Sequence, residues 1–210
     1  MVVAMGLEVG AVALVAMFLA LSSSLGHRPF LRQAAISLGF AMVAAPFLAF
    51  QGRRAERRRA WLRLGAPDPR RLGQVLGRMA LAMVGIWLMT ALLSSLPAFR
   101  DLALRERTLV TWKTPGELGG ALLFIAAMPA FFEEIFFRGW LLHRLAAVWP
   151  ARWAIVAQAI LFAAAHGQAA PFALALGLLH AWLTLETGSL WPAMLLHFCN
   201  NLLVVLAAAK

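Results

Sequence analysis

The run LGGALLFIAAMPAFFEEIFFRGWLLHRLAA, residues 118–147, is almost wholly apolar, yet it carries Glu133, Glu134 and Arg138 in its second half. A bilayer is crossed by a helix of roughly 20 apolar residues. Lipid offers no partners to open backbone groups, so a stretch of this length and composition spans as a helix. Working outward, seven such segments can be marked: Val2 to Leu25, Ala34 to Phe50, Met79 to Ala98, Leu118 to Ala147, Trp153 to Ala169, Phe172 to Leu185 and Leu190 to Ala209. They predict an all-α fold, a polytopic transmembrane helix bundle of about seven spans within a range of six to eight. The sixth segment is the shortest and follows Pro171, which predicts a short or tilted helix. The first has no Lys or Arg before it, contains Glu8 and lacks an Ala-x-Ala-like site before the loop at Gly26, so it reads as a retained span and not a signal peptide.

Composition excludes a soluble domain. The 210 residues are 62% hydrophobic and 13% charged, against about a quarter charged in an ordinary globule. The net charge of +10 does not indicate nucleic acid, because the arginines lie between apolar runs. Arg53, Arg54, Arg57, Arg58, Arg59, Arg63, Arg70, Arg71 and Arg78 face only Glu56 and Asp68 in a basic loop, residues 51–78. The positive-inside rule places this loop and the N-terminus in the cytoplasm, and anionic lipid headgroups are the expected partners. Arg53 to Arg63, with Trp61 and Leu62 interleaved, reads first as a solvated topogenic loop and second as a basic helix lying on headgroups. The single Cys199 excludes an internal disulfide and reads as a buried small apolar residue.

Ionisable residues inside spans are informative because each costs about 2.5–3.5 kcal/mol at the bilayer centre on insertion scales. Three constellations stand out. In Glu133-Glu134-Ile-Phe-Phe-Arg138, the second acid and the arginine are four residues apart and share a helix face, where they can pair. Glu133, rotated by about 100°, is left available for general-base work. The competing reading has both acids paired with arginines to hold helices together. In Phe162-Ala-Ala-Ala-His166, a turn near Pro150 would put His166 level with Glu133 on an antiparallel helix, with Ala163, Ala164 and Ala165 permitting close approach. The bland alternative is a histidine capping its helix end before Gly167. In His197-Phe-Cys-Asn200-Asn201, His197 and Asn201 share a face, and both can donate hydrogen bonds to an oxyanion or, equally well, across helices. Asn200 reads as structural, and His180 as a neutral histidine bonded to backbone or to Asn.

Taken together and in this order, Glu-Glu-x-x-x-Arg, Phe-x-x-x-His and His-x-x-x-Asn resemble the CAAX protease and bacteriocin-processing (CPBP, or Abi) family of intramembrane proteases. That family includes the type II CAAX prenyl endopeptidases. The likeness extends over roughly Leu118 to Val205 and includes the lead-in Thr187 to His197. It implies one integral membrane domain, with N-terminal helices over 1–117 and a catalytic core over 118–210. It also implies an endopeptidase in which Glu133, with His166, activates water, His197 and Asn201 stabilise the oxyanion, and Glu134 and Arg138 support the site. The expected substrate is a membrane-associated protein or peptide. The composition suggests a bacterial inner-membrane protein, for which sorting-tail removal, surface-protein processing and bacteriocin-related processing are the candidate roles.

A zinc ion held by Glu, His and His is the alternative to a metal-free site. No His-Glu-x-x-His is present, and zinc would take up the groups needed as base and oxyanion donors, so no cofactor is expected. Two competing functions need no protease chemistry: a non-catalytic scaffold or immunity protein of the same fold, and a transporter using Glu133, His166 and His197 as a proton relay. His180 stands where similar sequences are expected to carry a small residue.

Overall fold

The computed structural model describes residues 34–39, 41–42, 68–97, 112–166 and 169–208. Five helices carry most of them: α1 Pro69–Ser95, α2 Pro115–Ala146, α3 Ala151–Ala164, α4 Ala170–Thr187 and α5 Trp191–Ala207. Among the described residues α1, α2 and α4 are long and apolar enough to cross a membrane, while α3 and α5 are shorter apolar helices. The chain is an integral membrane protein, and the regular elements among its described residues are all helices. The first expected span, Val2 to Leu25, the stretch Arg53 to Arg63 and much of the second span lie outside the described residues.

Local chemistry sets the helix ends. Asp68 accepts the Arg70 N–H on its side chain at 3.0 Å, and its carbonyl accepts from Arg71 and Leu72. Pro69, at the first helical position, has no N–H to leave unpaired. The third apolar segment therefore starts ten residues before Met79, and Arg70, Arg71 and Arg78 lie on the exposed face of α1 instead of in a loop. Thr114 and Glu117 form a reciprocal capping box at the start of α2. Gly188, at φ 66°, ends α4 in the left-handed conformation that glycine adopts without steric cost. The sixth segment is longer than expected because Pro171 falls in the first turn of α4, where its missing N–H costs nothing. The fifth is shorter, since α3 ends at Ala164 and His166 lies in the turn that follows.

Helix α4 is central, packing against α3, α1 and α5, while α5 also lies along the first half of α2. One core cluster joins Val75 and Met79 of α1 to Leu183 of α4 and to Ala193 and Leu196 of α5. A second joins Phe137 of α2, Phe162 and Ala163 of α3, and Ala173 of α4. Small residues allow the close approaches on which packing in lipid depends. At Gly177 of α4 a Cβ would stand 3.1 Å from the Cα and Cβ of Ala159 and 3.3 Å from Phe162. Cys199 is exposed on α5 and not buried, being rotated by about 200° from the inward-facing His197.

The Gly177 contact yields the first prediction. Gly177→Val should destabilise the protein by about 1–3 kcal/mol through overpacking, and Gly177→Ala by less. Thermal unfolding in one detergent would check both, and an unchanged midpoint for the valine variant would contradict the close α3–α4 crossing.

Candidate functional site

The site is built on the middle of α2, where two wide π-helical segments, Leu122–Ala127 and Ile135–Leu141, flank an α-helical stretch, Met128–Glu134. Such segments inside α-helices recur at functional sites. Pro129 has no N–H to give Ile125, four residues back, and the Met128 N–H goes to Leu123 instead of Phe124. Side chains from elsewhere reach these two carbonyls. Ser37 Oγ donates to Phe124 O at 2.7 Å, and Asn201 Nδ2 donates to Ile125 O at 3.1 Å. Asn201 thereby ties α5 to α2, while its own Oδ1 accepts from Asn200 at 3.2 Å.

Glu134 is fully buried and organises the centre. Its Oε1 lies 3.1 Å from Arg138 Nη1, 3.0 Å from His180 Nδ1 and 2.8 Å from His197 Nδ1. Each imidazole must carry its proton on Nδ1 to donate to a carboxylate, which fixes the tautomer of a neutral ring. The Arg138 guanidinium, also fully buried, lies over the Phe162 ring at 4.1 Å. A desolvated cation–π contact of this kind is worth about 2 kcal/mol or more.

Glu133, one residue earlier, has different surroundings. Its buried Oε2 accepts no hydrogen bond among the described residues. The nearest nitrogens are His166 Nε2 at 3.8 Å and His197 Nε2 at 4.0 Å, both beyond direct hydrogen bonding. His166 Nδ1 donates to Phe162 O at 2.7 Å, so the histidine caps the end of α3 and also turns Nε2 toward Glu133. The capping alternative and the Glu133 partnership thus describe the same side chain. Next to this centre, between α2 and α5, is an apolar cavity of about 450 Å³ whose lining includes Met128, Phe131, Phe132, Trp191, Met194 and Phe198.

Glu133, Glu134, Arg138, His166 and His197 are therefore brought together, while Asn201 sits on the same helix as His197 with one donor already engaged. The contacts of three residues, one of them the motif residue Phe162, were not legible in the spacing. His180 bonds Glu134 and not backbone or an Asn, because α4 passes close enough to α2 for its ring to enter the centre. Phe162 stacks beneath Arg138 and also meets His166, with ring centroids 4.3 Å apart, and His197, at 6.1 Å. Gln158, fully buried one turn before Phe162, makes no hydrogen bond among the described residues. Nothing in an apolar helix pattern separates these residues from ordinary packing.

The Glu134–Arg138 pair gives a second prediction. Arg138→Met should cost about 3–5 kcal/mol by stranding a buried carboxylate. Adding Glu134→Gln should recover part of that loss. The check is a double-mutant cycle on unfolding midpoints, where strict additivity would show that the pair is uncoupled.

Residues 115–203 match the family model described as Type II CAAX prenyl endopeptidase Rce1-like. Among curated proteins and solved structures, none matches the chain. The matched stretch begins at the first residue of α2 and contains Glu133-Glu134, Arg138, His166 and the His197–Asn201 pair. Over residues 115–203 the chain is therefore similar to the Rce1-like type II CAAX prenyl endopeptidases.

Proposed function

We propose that the protein is an intramembrane endopeptidase that hydrolyses a peptide bond in a membrane-associated protein or peptide, using water activated by Glu133 with His166. The observation that carries this reading is the contrast between adjacent carboxylates. Glu134 Oε1 accepts from two imidazoles and pairs with the Arg138 charge at 3.1 Å, whereas Glu133 Oε2 accepts no hydrogen bond among the described residues and stands 3.8 and 4.0 Å from two imidazole nitrogens. Separations of that size suit a bridging water. With Nδ1 of each ring engaged as donor, both Nε2 atoms present lone pairs when the rings are neutral. A water held among these acceptors gives a proton to Glu133 as its oxygen attacks the carbonyl carbon. Glu133 then returns that proton to the departing amine as the C–N bond breaks.

The tetrahedral oxygen needs donors. Asn201 has a second Nδ2 hydrogen beyond the one given to Ile125. His197 donates through Nε2 once its ring has taken a second proton from solvent, which leaves the water to Glu133 and His166 alone. The carboxylate of Glu134 beside Nδ1 balances the charge, and the proton returns to solvent as product leaves. The apolar cavity between α2 and α5, whose lining includes Phe132 and Phe198, the chain neighbours of Glu133 and His197, fits a substrate presented from within the bilayer. In this reading residues 118–210 form the catalytic core, the helices of 1–117 flank it, and the arginines from 53 to 78 face the cytoplasm of a bacterial cell. Sorting-tail, surface-protein or bacteriocin-related processing would all use this chemistry.

The residues present do not fit a metal ion as they are arranged. Among the described residues, the set of acidic and histidine groups with ligand atoms all within 4.8 Å of one another is Glu134, His180 and His197. There both Nδ1 atoms already donate to the carboxylate oxygen, and the Arg138 cation stands 3.1 Å from that same oxygen. A further cation would be repelled and would have to displace two protons. Glu133 with His166 and His197 does not close to that spacing.

Two measurements test the proposal. In liposomes, Glu133→Gln should abolish cleavage while leaving the fold intact, and Asn201→Ala should lower kcat by about 10²–10³. Full activity of the glutamine variant would end the mechanism. Strong chelators should leave the rate unchanged, whereas a loss restored by added zinc would overturn the metal-free form. Comparing terminal peptides from wild-type and Glu133→Gln cells would identify the substrate.

A further inference from the structure

We propose that His180 is a positioning residue: its Nδ1–H holds Glu134 in place and, through that carboxylate, sets the tautomer and ring direction of His197. The catalytic part rests on the protease reading above, whereas the tautomer part stands without it.

The geometry is specific. His180 from α4 and His197 from α5 place their Nδ1 atoms 3.0 and 2.8 Å from the same oxygen, with ring centroids 5.4 Å apart and ring planes inclined by 40°. Arg138 reaches that oxygen from α2, on Glu134's own helix. Of the three groups around that oxygen, His180 is the one that approaches from α4. Without it, the carboxylate is held by its own helix and by the ring it is meant to orient.

Packing alone does not explain a histidine here. His180 is fully buried, and its Nε2 makes no hydrogen bond among the described residues. A leucine would fill similar volume without burying an unpaired nitrogen. What the histidine adds is the Nδ1–H given to Glu134. The backbone beneath it is fixed on both sides. One turn earlier Gly177 lets α4 press onto Ala159 of α3, and one turn later Thr184 Oγ1 donates to His180 O at 2.9 Å.

The consequence falls on His197. With Oε1 fixed, its Nδ1–H is retained and Nε2 is turned toward Glu133 at 4.0 Å. A partner that orients a working imidazole through its far nitrogen acts as a second layer of the site, and loss of such partners characteristically costs about 10- to 100-fold in activity. Without the His180 N–H, the carboxylate can rotate and His197 can exchange its proton between ring nitrogens.

The test uses full-length protein labelled with ¹⁵N-histidine in detergent micelles, read by two-bond ¹H–¹⁵N correlation spectra. His197 should show the Nδ1–H tautomer in the wild type. It should keep that form in His180→Asn, whose amide nitrogen stands near the position of Nδ1. In His180→Leu, which keeps apolar volume but loses the donor, it should become a mixture. If the leucine variant does not fold, His180→Met, which likewise lacks an N–H donor, takes its place. An unchanged His197 tautomer in the donor-free variant would overturn the proposal. On a cleavable membrane peptide, His180→Leu should lower kcat about 10- to 100-fold with KM unchanged, and His180→Asn should restore most of the loss. Equal losses in the two variants would reduce His180 to packing. Absence of wild-type cleavage would strike the protease reading and leave the tautomer result to decide this one.

Discussion

One carboxylate oxygen, Oε1 of Glu134, gathers two imidazole donors and one guanidinium charge from three helices, and the rest of the centre depends on that convergence. A fully buried acid in an apolar bundle is tolerable only when its charge is matched. Arg138 supplies the matching charge from one turn along α2, and Phe162 supports the guanidinium from α3. The two histidines complete the set from α4 and α5. Once this knot is tied, four helices have a fixed depth relative to one another. Glu133, which cannot share the same donors, is left with a bare oxygen facing His166 and His197. Division of labour between adjacent, chemically identical residues thus follows from rotation about one helix axis.

The backbone of α2 contributes in a second way. Proline in a helix interior removes a donor and ordinarily weakens the helix. Here Pro129 removes the bond to Ile125 O, and Asn201 meets that carbonyl. The asparagine therefore fixes α5 against α2 and keeps a second N–H for other use. A residue whose motif position suggests a role in chemistry also serves the packing that makes the chemistry possible, and the two readings of His197 and Asn201 are not exclusive.

Much of this was legible in the sequence for physical reasons. Scarcity of charge made Glu133, Glu134 and Arg138 conspicuous, and a four-residue spacing on a helix dictates a shared face. The Asp68-Pro69 start of α1 and the Thr114–Glu117 capping box are local signals readable from spacing, yet apolarity alone placed both helix starts too late. The contribution of His180 could not be read, because it depends on how closely α4 passes α2, a tertiary distance with no period in sequence. The π-helical segments and the exposure of Cys199 are equally silent, since both follow from which face each helix turns inward.

The central claim is that Glu134 holds the bundle together while Glu133 Oε2 is kept without a hydrogen-bond donor among the described residues, at a cost to stability. Paired unfolding measurements on Glu133→Gln and Glu134→Gln, in the same detergent, test it most directly. The account predicts that Glu133→Gln melts at or above the wild-type temperature, because it removes a buried carboxylate that has no donor. Glu134→Gln should melt well below it, by the equivalent of about 3–5 kcal/mol. Similar losses in both variants would show that the two acids are structural alike, and would contradict the division of roles on which the site is built.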